Sequence, residues 1–366
     1  MSRKPEGPLR RGWTTGACAA AAAKAAAQAL LTGEFPDPVT ITLPRGEQPA
    51  FALARQEQTD SSATAGIIKD AGDDPDITHG AMVLSTVSPG PPDSGLIFRA
   101  GEGVGMVTKP GLPIPPGEPA INPVPRQMIG HAIDEVVKAS GQVGRLADII
   151  VEISIPGGAK LAEKTMNPRL GIVGGLSVLG TTGIVKPYSC ASWIASIHRG
   201  IDVARAAGRT HVAASTGSTS EAAVAAHHHL PPEALLDMGD FVGGTLKYLR
   251  RHPIDNLTIA GGLAKMTKLA QGHMDLHSAR SSVDFAWLAE QAGVLGTDSA
   301  LAENIRHANT AAHVLDMTKS AELPLADGIA DLARRAAVAI LDGAPVAVET
   351  LIIDRSGRII GRAGER

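Results

Sequence analysis

Short apolar runs recur through the first third of the chain: VTITLP (39–44), AFALAR (50–55), ATAGIIKD (63–70), AMVLSTV (81–87) and SGLIFRA (94–100). Gly- and Pro-bearing turns separate them, a pattern that predicts strands joined by hairpins. Two helical periods interrupt the runs. Thr14-Thr15-Gly16 leads into ACAAAAAKAAAQALL and a stop at Gly33, which combines a cap, a strong helix former and a terminating glycine. Met128, Ile129, Ala132, Ile133, Val136 and Val137 form one face of a second helix. Pro125 fits its first turn and Gly141 ends it. The run DIIVEISIP (148–156) reads as a further strand.

From about Ala191 the rhythm changes. A helix over 193–207 precedes the strand HVAAS, the turn TGSTS and the helix EAAVAAHHHL. A helix near 241–250 then precedes the strand NLTIA, the turn GGLAK and another helix. Strand, glycine turn and helix in repetition mark a parallel α/β sheet. The stretch VAVETLIIDRSGRIIGRAG closes it as a strand and hairpin. The expected class is therefore mixed: an α+β domain over residues 1–195 and a Rossmann-like α/β domain with a mostly parallel sheet over 196–366.

Between the halves of the first domain lies GEGVGMVTKPGLPIPPGEPAINPVPRQM (101–128), with seven prolines and five glycines. No helix or central strand can run through it. It lacks serine, and Val104, Met106, Val107, Leu112 and Ile114 are interleaved with few charges. It reads as an ordered apolar wall or lid bracketed by Lys109 and Arg126.

Composition narrows the chemistry. The chain has 366 residues, 44% hydrophobic and 19% charged, with net charge −3 and 3% aromatics. Basic runs interleaved with aromatics do not occur, so a nucleic-acid partner is not expected. The alanine run is too weakly apolar for a membrane span, and the basic N-terminus is not followed by a signal core. Cys18 and Cys190 offer neither a disulfide framework nor paired metal spacing, which suggests a reducing cytoplasm.

Six groups of residues could carry chemistry. Thr216, Gly217 and Ser218 open a helix after a strand, with Ser218 and Glu221 at capping-box spacing, and Gly261-Gly262 repeats that placement. Such turns suit an anion or a ribose-bearing cofactor, although a plain capped helix has the same spacing. The segment 171–187 is glycine-dense and carries Thr181, Thr182 and Lys186, which fits a ligand loop or tight packing between domains equally. KDAGDDPD (69–76) has too few correctly spaced carboxylates for a cation loop and reads as a turn with Asx hydrogen bonds, with His79 beside it. His273, Asp275 and His277 are the candidate catalytic residues, with the histidines at helical spacing but no metal-protease glutamate, which favours a lone acid/base role or structural hydrogen bonding over a metal. His227-His228-His229 reads as a solvated helix end, and no protein-bound metal is expected. Six cations stand in or near the glycine-rich loops of this acidic chain: Lys109, Arg126, Arg169, Lys186, Lys265 and Lys268. They suggest a positive cleft for a polycarboxylate.

Taken in order, several of these stretches resemble the CbiD family, the cobalt-precorrin-5B C1-methyltransferases of cobalamin biosynthesis. They are GWTTGACAAAAAKAA, KDAGDDPDITHG, GEGVGMVTKPGL, GEPAINPVPRQMI, KTMNPRLGIVGGLSVLGTTGIVKPYS and the AGGLAKMTKLAQG region through Ser278. The second domain departs from the pattern at STGSTSE and at Leu263-Ala264-Lys265. The resemblance implies transfer of the S-adenosyl-L-methionine methyl group to ring carbon 1 of cobalt-precorrin-5B, giving cobalt-precorrin-6A. It implies the methyl donor at Thr216, Gly217, Ser218, Gly261 and Gly262. Tetrapyrrole carboxylates would fall to the six cations with Thr181 and Thr182. Two other readings remain: a non-catalytic tetrapyrrole carrier, and a phosphoryl-transfer enzyme using Thr14–Gly16 as an anion site. Homo-oligomerisation is left open.

Overall fold

A computed structural model describes residues 7–141 and 148–364, so the first six residues of the basic N-terminal stretch lie outside the described part. The chain divides into two compact units, Met1–Cys190 and Ala191–Arg366. Mixed α/β structure fills both.

The first unit is built around one sheet. Its strands are Arg55–Gln58 (β1), Ala63–Ile68 (β2), Met82–Pro89 (β3), Leu96–Ala100 (β4) and Ile149–Ser154 (β5). They lie in the order β1-β2-β3-β5-β4, antiparallel except for the parallel pair β4 and β5. A parallel pair needs a long crossover. The Pro/Gly loop and helix Pro123–Ser140 (α2) supply it. Helix Thr15–Thr32 (α1) packs against β2, β3 and α2. Its alanines are buried on nearly every side, and small side chains are what let strands and a helix approach it all round. Thr14 caps it by accepting from the Ala17 amide at 3.2 Å, and Gly33 ends it at φ 83°. Ser85 of β3 donates to the Ala19 carbonyl at 2.9 Å, and Lys24 of α1 pairs with Glu135 of α2. The outer sequence runs 39–44 and 50–55 shrink to two-residue strands, Val39–Thr40 and Ala50–Phe51.

In the second unit the sheet strands are His211–Ser215 (β6), Leu235–Asp237 (β7), Asn256–Gly261 (β8), Ala347–Ile353 (β9) and Ile359–Ala363 (β10). Their order is β7-β6-β8-β9-β10, with four parallel strands and β10 antiparallel. Helices Cys190–Ala206 (α3), Ser218–His228 (α4), Val242–Arg251 (α5) and Leu263–Ala270 (α6) alternate with the strands. Four more, Phe285–Val294 (α7), Ser299–Arg306 (α8), Ala311–Ser320 (α9) and Leu325–Leu341 (α10), precede β9. Adjacent strand residues serve opposite faces. Ala213, Ala260 and Leu351 pack with Val224 of α4, whereas Val212, Ile259 and Ile352 join the larger core beneath α5, α6 and α10. Burial on both faces explains why these strands are continuously apolar. From β6 the chain goes to β7 on one side and then crosses from β7 to β8 on the other side of β6, so a topological switch point lies between β6 and β8.

Candidate functional site

At the carboxyl edge of that switch point a cavity of about 520 Å³ opens, within the range of small-molecule sites. Thr216, Gly217, Ser218, Gly262 and Lys265 line it, with Thr310, Asp354 and Arg355 farther round. The starts of α4, α6 and α9 all contribute to its wall. Neither α4 nor α6 has a side-chain cap, so their first-turn amides are left for a ligand. The expected capping box is not formed. Gly217 occupies the N-cap position in an extended conformation, and Ser220 donates back to the Gly217 carbonyl at 2.8 Å. Gly217 faces open space, because a Cβ there would meet nothing within 4 Å.

Four of the five cofactor positions expected from sequence thus line one cleft. Gly261 stands behind it instead: a Cβ there would lie 2.8 Å from Thr216 Oγ1. Lys265 fixes the rim, its Nζ donating to the Thr216 carbonyl at 2.7 Å and lying 3.0 Å from Asp240 Oδ1. Lys268 points elsewhere. Its buried ammonium donates to the Leu276 carbonyl at 2.9 Å and anchors the loop after α6.

That loop carries His273, Asp275 and His277 and is not helical, so the i, i+4 spacing of the histidines does not place them on one helix face. Asp275 accepts from the His277 amide at 3.0 Å and pairs with Arg280, while His277 Nδ1 accepts from the Ala279 amide at 3.1 Å. None of the three is among the residues lining the cleft.

In the first unit, the Pro/Gly loop and the glycine-dense segment zip together. Met106-Val107 pairs with Ile172-Val173, and single bridges join Val104 to Leu176 and Ile121 to Val178. The glycines are there for close approach within this unit: a Cβ on Gly175 would lie 2.2 Å from the Gly103 carbonyl oxygen. Of the proposed apolar wall, Val104, Val107 and Ile114 face inward, the last two in a small core with Ala120 and Ile172. Met106 is the exposed member. Lys109 lies over Gly171, and Arg169 precedes it on the paired segment. Thr181 and Lys186 are exposed, and Thr182 closes the turn by accepting from the Ile184 amide at 3.3 Å.

Arg126 holds the loop itself. It donates to the Ile121 carbonyl (2.8 Å), the Pro119 carbonyl (3.2 Å) and Glu118 (2.9 Å), and sits over the Phe98 ring. Arg126→Ala is therefore expected to cost about 1–3 kcal/mol in urea unfolding, since the buried Ile121 carbonyl loses the Arg126 donor. A large loss of substrate affinity at unchanged stability would assign it to the substrate instead.

The acidic turn is also structural. All four carboxylates have protein donors: Asp70 takes Arg10 and the Gly72 amide, Asp73 the Arg10 amide, Asp74 the Tyr188 amide, and Asp76 takes Lys69 and Thr78. His79 Nδ1 accepts from the Ala71 amide at 3.1 Å. Nor is the start of α1 an open anion site. The Gly16 amide donates to the Leu179 carbonyl at 3.0 Å, and the Ala17 amide to Thr14. That removes the observation on which a phosphoryl-transfer reading rested. Burial pushes the Cys18 thiol up to about 12, so it is inert.

Comparison with known proteins adds a decisive observation. The CbiD profile matches residues 2–187, and the profile of the CbiD C-terminal domain matches residues 275–364. The chain belongs to the CbiD family. A CbiD relative from Brucella anthropi, named cobalt-precorrin-5B C(1)-methyltransferase, is 61% identical over 97% of this chain and 95% of its own. One of the same name from Methylorubrum extorquens is 58% identical over 98% of both chains. A crystal structure of the cobalamin biosynthesis protein CbiD from Archaeoglobus fulgidus matches at 27% identity, with a TM-score of 0.40, covering 70% of this chain and 78% of that one. No helix among the described residues is long and apolar enough to cross a membrane.

Proposed function

We propose that this chain is a cobalt-precorrin-5B C1-methyltransferase, and that its second unit is a Rossmann-like domain holding S-adenosyl-L-methionine in the cleft at the β6/β8 switch point. The observation that carries the placement is the convergence of two uncapped helix starts and an open Gly217 on that cavity. The activity rests on the family and on near-full-length relatives of that name.

When bound, the donor supplies a methyl group already activated on a sulfonium. What remains for the protein is alignment and exclusion of water, which can lower a barrier by roughly 7–11 kcal/mol. The amides at Ser218 and Leu263 would take the donor's carboxylate or ribose oxygens, and Lys265 holds the two sides of that rim together. We assign substrate carboxylates to Lys109, Arg169 and Lys186, with Thr181 and Thr182 as hydroxyl partners, and treat Arg126 and Lys268 as positioning residues. The reading needs no general base from the loop bearing His273, Asp275 and His277.

Incubating the protein with the corrinoid intermediate and a labelled methyl donor tests the activity. Label at ring carbon 1, located by NMR, is the expected result. Calorimetry showing no binding of S-adenosylmethionine or S-adenosylhomocysteine would leave a tetrapyrrole carrier as the better description.

A further inference from the structure

Of the helix end expected to be solvated, His227 and His229 are exposed but the His228 side chain is tucked in. His228, the last residue of α4, has a side chain 9% exposed, and its Nε2 lies 2.6 Å from Oε2 of Glu349, itself 6% exposed. In-register pairing of Ala213, Thr258 and Glu349 across β6, β8 and β9 sets what surrounds that carboxylate. Thr258 donates to Glu349 Oε2 at 2.8 Å and lies 2.8 Å from His211 Nε2. His211 and His227 stand edge-on to His228, with ring centroids 4.8 and 4.6 Å away. Arg362 approaches the other carboxylate oxygen at 3.9 Å. Three imidazoles are thus gathered near one buried carboxylate.

One ligand atom from each of His227, His228 and Glu349 lies within 4.8 Å of the others. Two imidazoles and a carboxylate suit a borderline cation, and zinc takes such sets tetrahedrally with a fourth position for water. A void of about 10 Å³ alongside, bounded by His211, Thr258 and Glu349, is too small for an organic ligand. Thr258, steadied by His211, orients the carboxylate as outer-shell hydrogen bonds do in metal sites. His227 is exposed and gives the ion a way in. The 11 residues of α4 separate this place from the cleft by roughly 16 Å.

We propose that His227, His228 and Glu349 form a binding site for a divalent transition metal, zinc by its ligand set, that fastens the end of α4 to β9. Entry of the ion opens the His228–Glu349 hydrogen bond, and each ligand gives the metal a lone pair, the carboxylate from an oxygen and each imidazole from its unprotonated ring nitrogen. The inference is independent of the methyl-transfer reading.

The test uses the full-length, tag-free chain stripped with EDTA. Titration with Co²⁺ should give the intense visible absorption of a tetrahedral site at one equivalent, and Zn²⁺ should displace it. Excess Zn²⁺ should raise the thermal midpoint by mass action. His227→Ala, at an exposed position, should weaken Zn²⁺ binding at least about tenfold. Glu349→Gln should abolish it in protein whose circular dichroism is unchanged, and His229→Ala should leave it intact. Absence of a one-equivalent site would overturn the proposal. So would binding that ignores His227→Ala, or that vanishes with His229→Ala, which would mark an exposed histidine run instead.

Discussion

Gly217→Trp is expected to weaken S-adenosylmethionine binding about 100-fold or more, equivalent to about 2.7 kcal/mol, without changing the unfolding midpoint. Gly217 is extended rather than left-handed, so the backbone tolerates a side chain there. A Cβ meets nothing within 4 Å and projects into open space at the cleft. The indole then occupies the volume proposed for the donor. Calorimetry with S-adenosylmethionine, paired with a melting curve, checks both halves. Undiminished binding would move the donor out of this cleft while leaving the methyltransferase reading standing.

Asp76→Ala should have the largest effect on stability, a loss of about 3–5 kcal/mol in denaturant unfolding. The Lys69 side chain is 2% exposed, and its ammonium has Asp76 and Thr78 as its hydrogen-bond partners. Removing the carboxylate leaves a buried positive charge without its counterion. Lys69→Met with Asp76→Ala should recover much of the loss, because both charges then disappear together. The same pair gives the acid response. Burial pushes the Asp76 carboxyl up, but the Lys69 charge and the hydrogen bonds from Lys69 and Thr78 outweigh it and hold it below the ordinary value. For Asp70, hydrogen bonds from Arg10 and the Gly72 amide lower it from 3.8 to about 2. Carboxylates lowered on folding contribute stability that is complete above their unfolded values and lost as the pH falls through the folded ones. The first unit should therefore lose stability between about pH 4 and pH 2, and Asp76→Ala should flatten that dependence.

Where the sequence was explicit, its signals were local. Thr14 caps α1 and Gly33 ends it, Gly141 stops α2, and the runs at 211–215 and 256–260 are strands feeding glycine turns. A cap, a glycine stop and an apolar period act over a few residues, so a linear reading can recover them. The carboxyl-edge turns followed from that rhythm, and with them Thr216–Ser218 and Gly262. The partners of charged groups were not legible in the same way. Arg126 looked like a cation for a ligand, yet the loop closes on it. His227–His229 looked like an ordinary exposed helix end, yet Glu349 lies 121 residues from His228 along the chain.

The chain by itself determined its family, its mixed α/β elements and the turns that edge the cleft, because caps, breakers and periodicity are written in neighbouring residues. Only the tertiary structure decided which polar groups are already satisfied. Sheet order and register bring distant strands together, and whether a carboxylate, an ammonium or an imidazole is free for chemistry depends on the neighbour that register supplies.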